Sequence, residues 1–253
     1  MKICRYQNGD SIGFGIVEGG NILACDDSFK ANGVRHPIEN VSLLAPVAPS
    51  KVVCVGRNYA AHAKELGNDV PSAPLLFLKA PSSIIGNGEA VVIPEQSSRV
   101  EHEAELAVVI ATTCKNLTDQ ENPLNYILGY TCLNDITARD LQKADVQFTR
   151  AKSFDTFCPV GPFIENDLDP TDLQVTCRVN GEIRQQGRTS QMLFSVPYLI
   201  TYISRQMTLN AGDIIATGTP AGVSKLEAGD ICEVEIEGVG VLTNPVMSVS
   251  ELL

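Results

Sequence analysis

One stretch near the middle of the chain constrains the fold more than any other. It reads Arg-Val-Glu-His-Glu-Ala-Glu-Leu over residues 99–106 and continues into an apolar, β-branched run over residues 107–111. This pattern predicts a strand that enters a hydrophobic core. Because alternate side chains of a strand share a face, Glu101, Glu103 and Glu105 are expected to point the same way, with the residues between them on the other face.

Three aligned carboxylates in front of a buried strand repel one another and are costly to desolvate. A bound cation would remove that cost, and an oxygen-only site suits Mg²⁺, Mn²⁺ or Ca²⁺ better than zinc. The alternative is an acidic strand face that is simply solvated, as most charged side chains are. Spacing alone does not separate these two interpretations.

Composition and charge limit the class of protein. The chain has 253 residues, of which 44% are hydrophobic and 19% charged, so a folded globular protein with a substantial core is expected. The formal net charge of −11 argues against nucleic acid or an anionic membrane as a partner. It does not argue against an anionic small molecule, because a metal and a few placed cations can reverse the local field.

The cysteines and the N-terminus bear on the compartment. Eight cysteines are scattered through apolar surroundings, and none belongs to a Cys-x-x-Cys pair. This predicts reduced, buried thiols rather than a disulfide framework or a zinc site. The N-terminus lacks an apolar signal-peptide core, and no stretch approaches the ~18 apolar residues that span a bilayer. We therefore expect a soluble, cytoplasmic protein.

Two domains are predicted, with a boundary after residue 46. Residues 1–46 contain short extended runs around the turn signal Glu18-Gly19-Gly20 and so predict a small β module. Residues 43–50 hold two prolines and indicate a linker. Residues 47–253 then form the larger domain.

The larger domain opens with a strand at residues 51–55 and a short helix at residues 60–67, closed by a glycine. His62 and Glu65 are three residues apart, so they share a face of that helix and can touch. A carboxylate that orients an imidazole prepares it as a general base or water activator. The alternative is an ordinary surface pair.

Polar segments follow several predicted strands. The strand at residues 126–133 ends in a polar cluster in which Asp135 could supply a third metal carboxylate, or could cap the next helical turn. Residues 147–156 are predicted to be a polar loop that carries Lys152. The Gly- and Thr-rich residues 217–222 follow a short strand and offer N–H groups and hydroxyls that can hold an anion, although they could also be a plain loop.

Clear local signals mark the remaining elements. Asn180-Gly181 predicts a hairpin between strands at residues 173–179 and 182–188. A helix is predicted over residues 192–202, beginning near Pro197. A second hairpin is expected over residues 230–246.

Six motifs, each weak alone, occur together. They are Gly56-Arg57-Asn58-Tyr59-x-x-His62, His102-Glu103-x-Glu105-Leu106, Asp135-x-Thr137-Ala138-Arg139-Asp140, Lys152-Ser153-Phe154, Asn180-Gly181-Glu182 and Thr217-Gly218-Thr219-Pro220. In this order, over residues 50–246, the set resembles the fumarylacetoacetate hydrolase family, and within it the shorter branch of acylpyruvases and 2-hydroxyhepta-2,4-diene-1,7-dioate isomerases. The resemblance implies an α+β, predominantly β fold: a mixed β-roll with flanking helices, a small N-terminal β domain and a homodimer.

The resemblance also assigns metal ligands. Glu103, Glu105 and Asp135 match the family's Mg²⁺ or Mn²⁺ ligands. Glu101 matches no ligand, and is expected either at the rim of the site or behind the ligands.

Catalytic and substrate-binding roles follow in the same way. The resemblance implies that His62 and Glu65 form a lid-helix dyad that activates water, and that Lys152 is the active-site lysine. The positions that match substrate-binding residues are Arg57, Arg139, Gln142 and Thr219, the last as a carboxylate-binding threonine.

These roles support three reactions of one intermediate. A 2-oxo acid can chelate the metal, which stabilises the enolate formed from it. Water attack gives C–C hydrolysis of an acylpyruvate or fumarylpyruvate, loss of CO₂ gives oxaloacetate decarboxylation, and reprotonation gives isomerisation of the kind found in aromatic catabolism. We place hydrolysis first, because pure isomerisation needs no activated water.

The alternative from another class is a metal-stabilised 2-oxo-acid-binding protein without turnover. Such a binder would not need a base aimed at water, so the His62–Glu65 pair argues against it.

Overall fold

The structure is a computed structural model that describes residues 1–26 and 28–251, and it is predominantly β, as predicted. The N-terminal part contains strands β1 (Lys2–Asn8), β2 (Ser11–Glu18), β3 (Asn21–Cys25), β4 (Ala31–Pro37) and β5 (Ser42–Leu44). The predicted turn at Gly19 and Gly20 is present, and both glycines have positive φ angles.

The next part of the chain contains most of the candidate site. Its elements are β6 (Val52–Gly56), α1 (Ala60–Glu65), β7 (Leu75–Lys79), β8 (Ile84–Ile85), β9 (Val91–Ile93), β10 (Val100–Glu101), β11 (Ala104–Ile110), β12 (Ile127–Asn134), β13 (Thr137–Ala138), α2 (Arg139–Ala144) and α3 (Thr149–Lys152). The helix α3 lies inside the segment that was predicted to be a loop, so that prediction is wrong over four residues.

The C-terminal part is organised by hairpins. Its elements are β14 (Cys158–Glu165), β15 (Gln174–Val179), β16 (Glu182–Arg188), α4 (Val196–Gln206), β17 (Ile214–Ala216), β18 (Ile231–Ile236) and β19 (Gly240–Ser248). Short 3-10 helices lie at Ile38–Asn40, Pro81–Ser83, Pro123–Tyr126, Pro170–Asp172, Thr189–Gln191 and Val249–Glu251. Both predicted hairpins form: β15 pairs with β16, and β18 pairs with β19.

The described residues form three sheets. The largest has the strand order β4-β3-β2-β1-β14-β12-β11-β17-β6-β7, with β5 paired to β1 and β8 paired to β14. A five-stranded sheet has the order β16-β15-β18-β19-β9, and β10 pairs with β13 alone. Because β1 pairs with β14, the N-terminal strands extend the main sheet. The domain boundary after residue 46 stays a prediction.

The strand β11 lies at the centre of the molecule, as its apolar run predicts. All seven of its residues are buried. Leu106, Val108 and Ile110 pack into the larger hydrophobic cluster, whereas Ala107 and Val109 pack into the cluster on the opposite face. A strand buried on both faces needs such a continuous apolar sequence.

The acidic strand is not continuous, and that part of the prediction is wrong. Strand β10 ends at Glu101, which pairs with Thr137, whereas Ala104 of β11 pairs with Asn134. The chain changes partner strands between them, so His102 and the residue after it leave the ladder. Glu101 therefore does not share a strand face with the other two glutamates.

The helix α4 has the predicted character. It begins at Val196 with Pro197 in its first turn, and its buried residues include Leu199, Ile200 and Ile203. The spacing of these residues gives one apolar face. The helix ends at Gln206, four residues beyond the predicted end.

The cysteines are thiols, as expected. All are buried except the half-buried Cys25, and none forms a disulfide in the described part of the chain. Burial raises the pKa of Cys132 and of Cys158 to about 12, which keeps both thiols protonated. Over the described residues, no helix is long and apolar enough to cross a membrane.

Candidate active site

Three carboxylates meet where two paired strands end. Glu103 comes directly before β11 and Asp135 directly after β12, and the Asp135 N–H donates to the Glu103 carbonyl at 2.9 Å. Glu105 lies on β11. One carboxylate oxygen from each of the three lies within 4.8 Å of the others, and all three residues are buried. The strand pairing, rather than an alternating strand face, brings them together.

Two buried lysines contact this carboxylate cluster. Lys152 Nζ donates to Glu103 Oε2 and to Asp135 Oδ2, both at 2.7 Å. Lys79 Nζ donates to Asp135 Oδ1 at 2.6 Å. Burial alone would lower the pKa of Lys152, but the two carboxylates raise it, so the ammonium stays charged. Both Asp135 oxygens are held by lysines, so the alternative that Asp135 caps a helix is wrong.

Arg139, at the start of α2, connects the cluster to Glu101. Its Nε donates to Glu101 Oε2 at 2.6 Å, its Nη1 donates to Gln142 Oε1 at 2.6 Å, and its Nη2 donates to Glu103 Oε1. Glu101 is 1% exposed and also accepts from Arg99. Of the two positions expected for Glu101, the structure shows the one behind the cluster.

The neighbouring cations lower the pKa of Glu103 but do not offset the rise in the pKa of Glu105. Burial alone would raise the pKa of Glu103, but Lys152 and Arg139 hold it below its usual range. For Glu105, burial and the neighbouring carboxylates of Asp135 and Glu103 raise the pKa well above its usual range, and the hydrogen bond to it from the backbone only partly offsets this. A divalent cation among the three oxygens would supply the charge that Glu105 lacks.

The Gly- and Thr-rich loop packs against this cluster. The Gly218 N–H donates to Glu105 Oε2 at 2.7 Å. The loop therefore binds an anion, as predicted, but that anion is the Glu105 carboxylate. Gly218 has φ +101°, and a Cβ there would lie 2.7 Å from the Cβ of Asn58. Thr219 Oγ1 donates to the Ala104 carbonyl at 2.9 Å and accepts from Gln185 Nε2 at 2.7 Å.

His62 and Glu65 form the contact that their spacing predicts. His62 Nδ1 lies 3.2 Å from Glu65 Oε2, and Glu65 Oε1 accepts from the Gly222 N–H at 2.9 Å. His62 is only 4% exposed. The hydrogen bond from Gly222 holds the Glu65 carboxylate in place, and that carboxylate in turn orients the His62 imidazole. The pair is therefore built into the fold and is not an ordinary surface pair.

These groups surround one pocket of about 220 Å³. Nine of the ten residues that were predicted to form the site line it: Arg57, His62, Glu103, Glu105, Asp135, Arg139, Gln142, Lys152 and Thr219. The tenth, Glu65, contacts the pocket through His62. The structure thus brings all ten together, and their individual roles stay predictions.

Several site residues were not predicted. Lys79 ends a strand of four apolar residues, and a lysine after such a run was the available signal. Phe77 and Phe148 pack edge to face at 5.5 Å and form an aromatic wall, with Lys152 Nζ 5.1 Å from the centre of the Phe77 ring. Lys143 also lines the pocket. No sequence signal distinguishes it from a surface lysine.

Comparison with known proteins agrees with this geometry. Residues 51–247 match a family model described as fumarylacetoacetate (FAA) hydrolase C-terminal, and residues 1–46 match one described as Rv2993c-like, N-terminal. The protein MJ1656 of Methanocaldococcus jannaschii is 51% identical over 213 residues, which cover 84% of this chain and 90% of that protein. The oxaloacetate tautomerase YisK of Bacillus subtilis is 44% identical over 226 residues, covering 83% of this chain and 75% of that protein.

Solved structures are similar over almost the whole chain. The 2-hydroxyhepta-2,4-diene-1,7-dioate isomerase from Mycobacterium marinum has a TM-score of 0.90 and 43% identity, covering 98% of this chain and 99% of that one. The maleylpyruvate hydrolase from Sphingobium sp. SYK-6, in complex with manganese (II) ion and pyruvate, has a TM-score of 0.81 and 31% identity over 98% of this chain and 99% of that one. The fold prediction is confirmed.

Proposed function

Because this chain belongs to the fumarylacetoacetate hydrolase family of enzymes, we propose that it catalyses a divalent-metal-dependent reaction of a 2-oxo acid through the enolate of that acid. The reaction that we place first is proton transfer at C3, which interconverts the keto and enol forms of a compound such as oxaloacetate. The observation that carries this proposal is the His62–Glu65 pair, which shares one pocket with the carboxylate cluster.

The cluster of Glu103, Glu105 and Asp135 would hold the metal. Its donors are three carboxylate oxygens without sulfur or nitrogen, which suits Mg²⁺ or Mn²⁺. The raised pKa of Glu105 supports a cation at this place, because burial with two other carboxylates disfavours its charged form. When bound, such an ion supplies Lewis-acid polarisation of the two oxygens of a 2-oxo acid.

His62 is the proton-transfer group in this proposal. Its Nδ1 is held by Glu65, so Nε2 is the nitrogen that takes a proton from C3 or returns it. Glu65 favours one tautomer and stabilises the imidazolium that forms. Since Glu65 is itself held by the Gly222 N–H, the base does not have to be oriented when the substrate binds.

The cations beside the cluster stabilise negative charge on the substrate. Lys152 and Arg139 are buried, charged and in contact with Glu103, so they lie beside any enolate oxygen that approaches the metal site. A fixed cation in a water-poor site stabilises developing charge more strongly than one in water. Thr219 lines the same pocket and is proposed to bind the substrate carboxylate, for which its hydroxyl would turn away from the Ala104 carbonyl that it now contacts.

Two observations place proton transfer ahead of hydrolysis. The pocket of about 220 Å³ is small beside the roughly 300–1,000 Å³ of pockets for drug-sized ligands, which favours a short substrate such as oxaloacetate over the longer fumarylpyruvate. The relatives at 44% and 43% identity carry tautomerase and isomerase names, whereas the neighbours with hydrolase names are 40% and 31% identical. The non-catalytic alternative loses support because the family consists of enzymes.

C–C hydrolysis of an acylpyruvate or fumarylpyruvate is the second candidate. The same His62–Glu65 pair that moves a proton at carbon can take one from water, and the placement of both oxygens of Glu65 favours such a base. Oxaloacetate decarboxylation would use the same enolate.

A substrate panel separates these reactions. We predict that the protein with Mg²⁺ accelerates the enol-to-keto conversion of oxaloacetate, followed by absorbance, and that EDTA abolishes the acceleration. Pyruvate release from acetylpyruvate or fumarylpyruvate, in a coupled assay, would instead favour the hydrolase. Pyruvate release from oxaloacetate would favour the decarboxylase, and no reaction of any of the compounds would contradict the proposal.

The expected homodimer and the cytoplasmic location stay predictions. So does the expectation that the partner is a small 2-oxo acid rather than nucleic acid or a membrane.

A further inference from the structure

The pocket contains two cations that the proposed chemistry does not use. Arg57, Arg139, Lys143 and Lys152 are the arginines and lysines that line it. Arg139 and Lys152 are committed to Glu101, Glu103 and Asp135. Within residues 1–26 and 28–251, by contrast, no side chain or backbone group forms a hydrogen bond or ion pair with the guanidinium of Arg57 or the ammonium of Lys143.

Exposure places these two cations at the mouth of the pocket. The three carboxylates and Lys152 are buried and form its floor. Arg57 is half-buried and Lys143 is exposed. Lys143 also follows Arg139 by four residues on α2, so it lies one helical turn away from the group that contacts the floor.

The backbone at Arg57 supports a role in binding. Arg57 has φ +58°, a left-handed conformation in which a glycine would cost less. The next residue holds this conformation firmly, because the Asn58 side chain donates to the carbonyls of Thr217 and Phe194 and accepts from the Phe194 N–H. A strained arginine whose guanidinium has no hydrogen bond or ion pair among the described residues, and which lines a pocket, is a candidate ligand-binding group.

The wall between floor and mouth is apolar. Leu66, Leu75, Phe77 and Phe148 line the pocket together with the charged groups. A ligand that fits would have an oxygen-rich end at the carboxylate floor, a short apolar middle and a negative charge at the mouth.

Charge points to the same ligand. Three carboxylates and four cations line the pocket, so with a divalent metal at the floor the pocket as a whole would carry three net positive charges. The whole chain has a net charge of −11. Such a positive pocket in an acidic protein favours a dianion over a monoanion.

We propose that Arg57 and Lys143 bind a second carboxylate, so that the enzyme selects short 2-oxo dicarboxylates over 2-oxo monocarboxylates of the same length. Arg57 presents a planar fork that matches a carboxylate, and Lys143 adds a flexible point charge at the opening. This inference rests on the proposed function, because it assumes that the 2-oxo end binds at the floor.

The test is equilibrium binding to the Mg²⁺-loaded protein, by isothermal titration calorimetry, with two matched pairs of ligands. Oxaloacetate is compared with 2-oxobutanoate, and 2-oxoglutarate with 2-oxopentanoate; each pair differs only in the distal carboxylate. We expect the wild-type protein to bind at least one dicarboxylate ten or more times more tightly than its partner. Arg57→Gln and Lys143→Gln should each reduce this ratio severalfold, and the double variant should bring it near one.

Binding of the monocarboxylates should change less than about twofold in these variants. Lys115→Gln is the matched control, because it removes one positive charge from an exposed residue that does not line the pocket. An unchanged ratio in the double variant, or equal losses for both members of a pair, would overturn the assignment. Failure of the proposed function looks different: the wild-type protein would then bind neither member of either pair, which would overturn both proposals.

Discussion

At the scale of single residues, the site is a set of buried charges that balance incompletely. Glu103 is held by Lys152 and Arg139, and Asp135 by two lysines, whereas Glu105 accepts a hydrogen bond only from a backbone N–H of the loop, among the described residues. A buried carboxylate that no cation contacts is costly unless a further cation binds. This imbalance is the physical reason to expect a metal at the cluster.

We predict that Glu103→Gln weakens Mn²⁺ binding by at least tenfold and abolishes turnover, since one anionic donor is lost and a neutral amide replaces it. The matched control is Glu65→Gln, which removes a carboxylate that contacts His62 but is outside the cluster. It should keep Mn²⁺ affinity while turnover falls by roughly 10²-fold or more, through loss of the oriented base. Titration of free Mn²⁺ by electron paramagnetic resonance measures the affinities. Equal Mn²⁺ affinity in Glu103→Gln and wild type would contradict the ligand assignment.

At the scale of elements, two parallel strands lead into the half of the site that carries Arg57, His62 and Thr219. Strand β6 leads into the Arg57 turn and α1, and β17 leads into the loop at residues 217–220. Asp213 joins the starts of both strands: Oδ1 accepts from the Ser50 N–H and hydroxyl and from the Lys51 N–H, and Oδ2 accepts from Lys51 Nζ and from the Asn210 N–H. The register of the two strands, and so the position of the site, depends on this buried carboxylate.

We expect Asp213→Ala to lower the free energy of unfolding by about 3 kcal/mol at pH 7, because several buried donors lose their acceptor. Burial alone would raise the pKa of Asp213, but Lys51, Ser50 and Asn210 lower it below its ordinary value of 3.8. The stabilisation is therefore full above about pH 4 and is lost as the pH falls below that.

Urea unfolding at pH 7 and at pH 3 measures both effects. The difference between wild type and Asp213→Ala should shrink at the lower pH. Asp145→Ala is the control, because Asp145 pairs with Arg150 at the surface, where solvent screens the pair, and its loss should lower the stability much less. Equal losses in the two variants would show that Asp213 has no special role.

At the scale of the whole molecule, local signals predicted the elements, and distant pairing decided the site. The apolar run of β11, the Pro197 start of α4 and the Asn180-Gly181 turn are encoded by neighbouring residues, so the sequence predicted them well. The N-terminal module was predicted as a separate unit. That boundary stays a prediction, but the pairing of the module's first strand with β14, more than 150 residues away, is a contact that no local pattern indicates.

The same distinction explains which site residues were missed. The break after Glu101 arises because β10 and β11 pair with different strands, and an alternating pattern contains no information about partners. Lys79 reaches Asp135 across 56 positions of sequence. Lys143 is a pocket residue only because α2 lies at the pocket mouth. Family resemblance identified most of the site, since matched motifs carry information about tertiary contacts that spacing does not.

Deuterium exchange at C3 of 2-oxoglutarate, followed by proton NMR in D₂O, tests the central claim most directly, because each of the three candidate reactions needs an enolate formed at C3 of a 2-oxo acid. We predict exchange catalysed by the wild-type protein with Mg²⁺ or Mn²⁺, no catalysed exchange with EDTA, and a fall of about 10²–10⁴-fold in His62→Asn with Mn²⁺ affinity preserved. Exchange that continues in EDTA, or at the wild-type rate in His62→Asn, would contradict the account of this site as a metal-assisted proton-transfer centre.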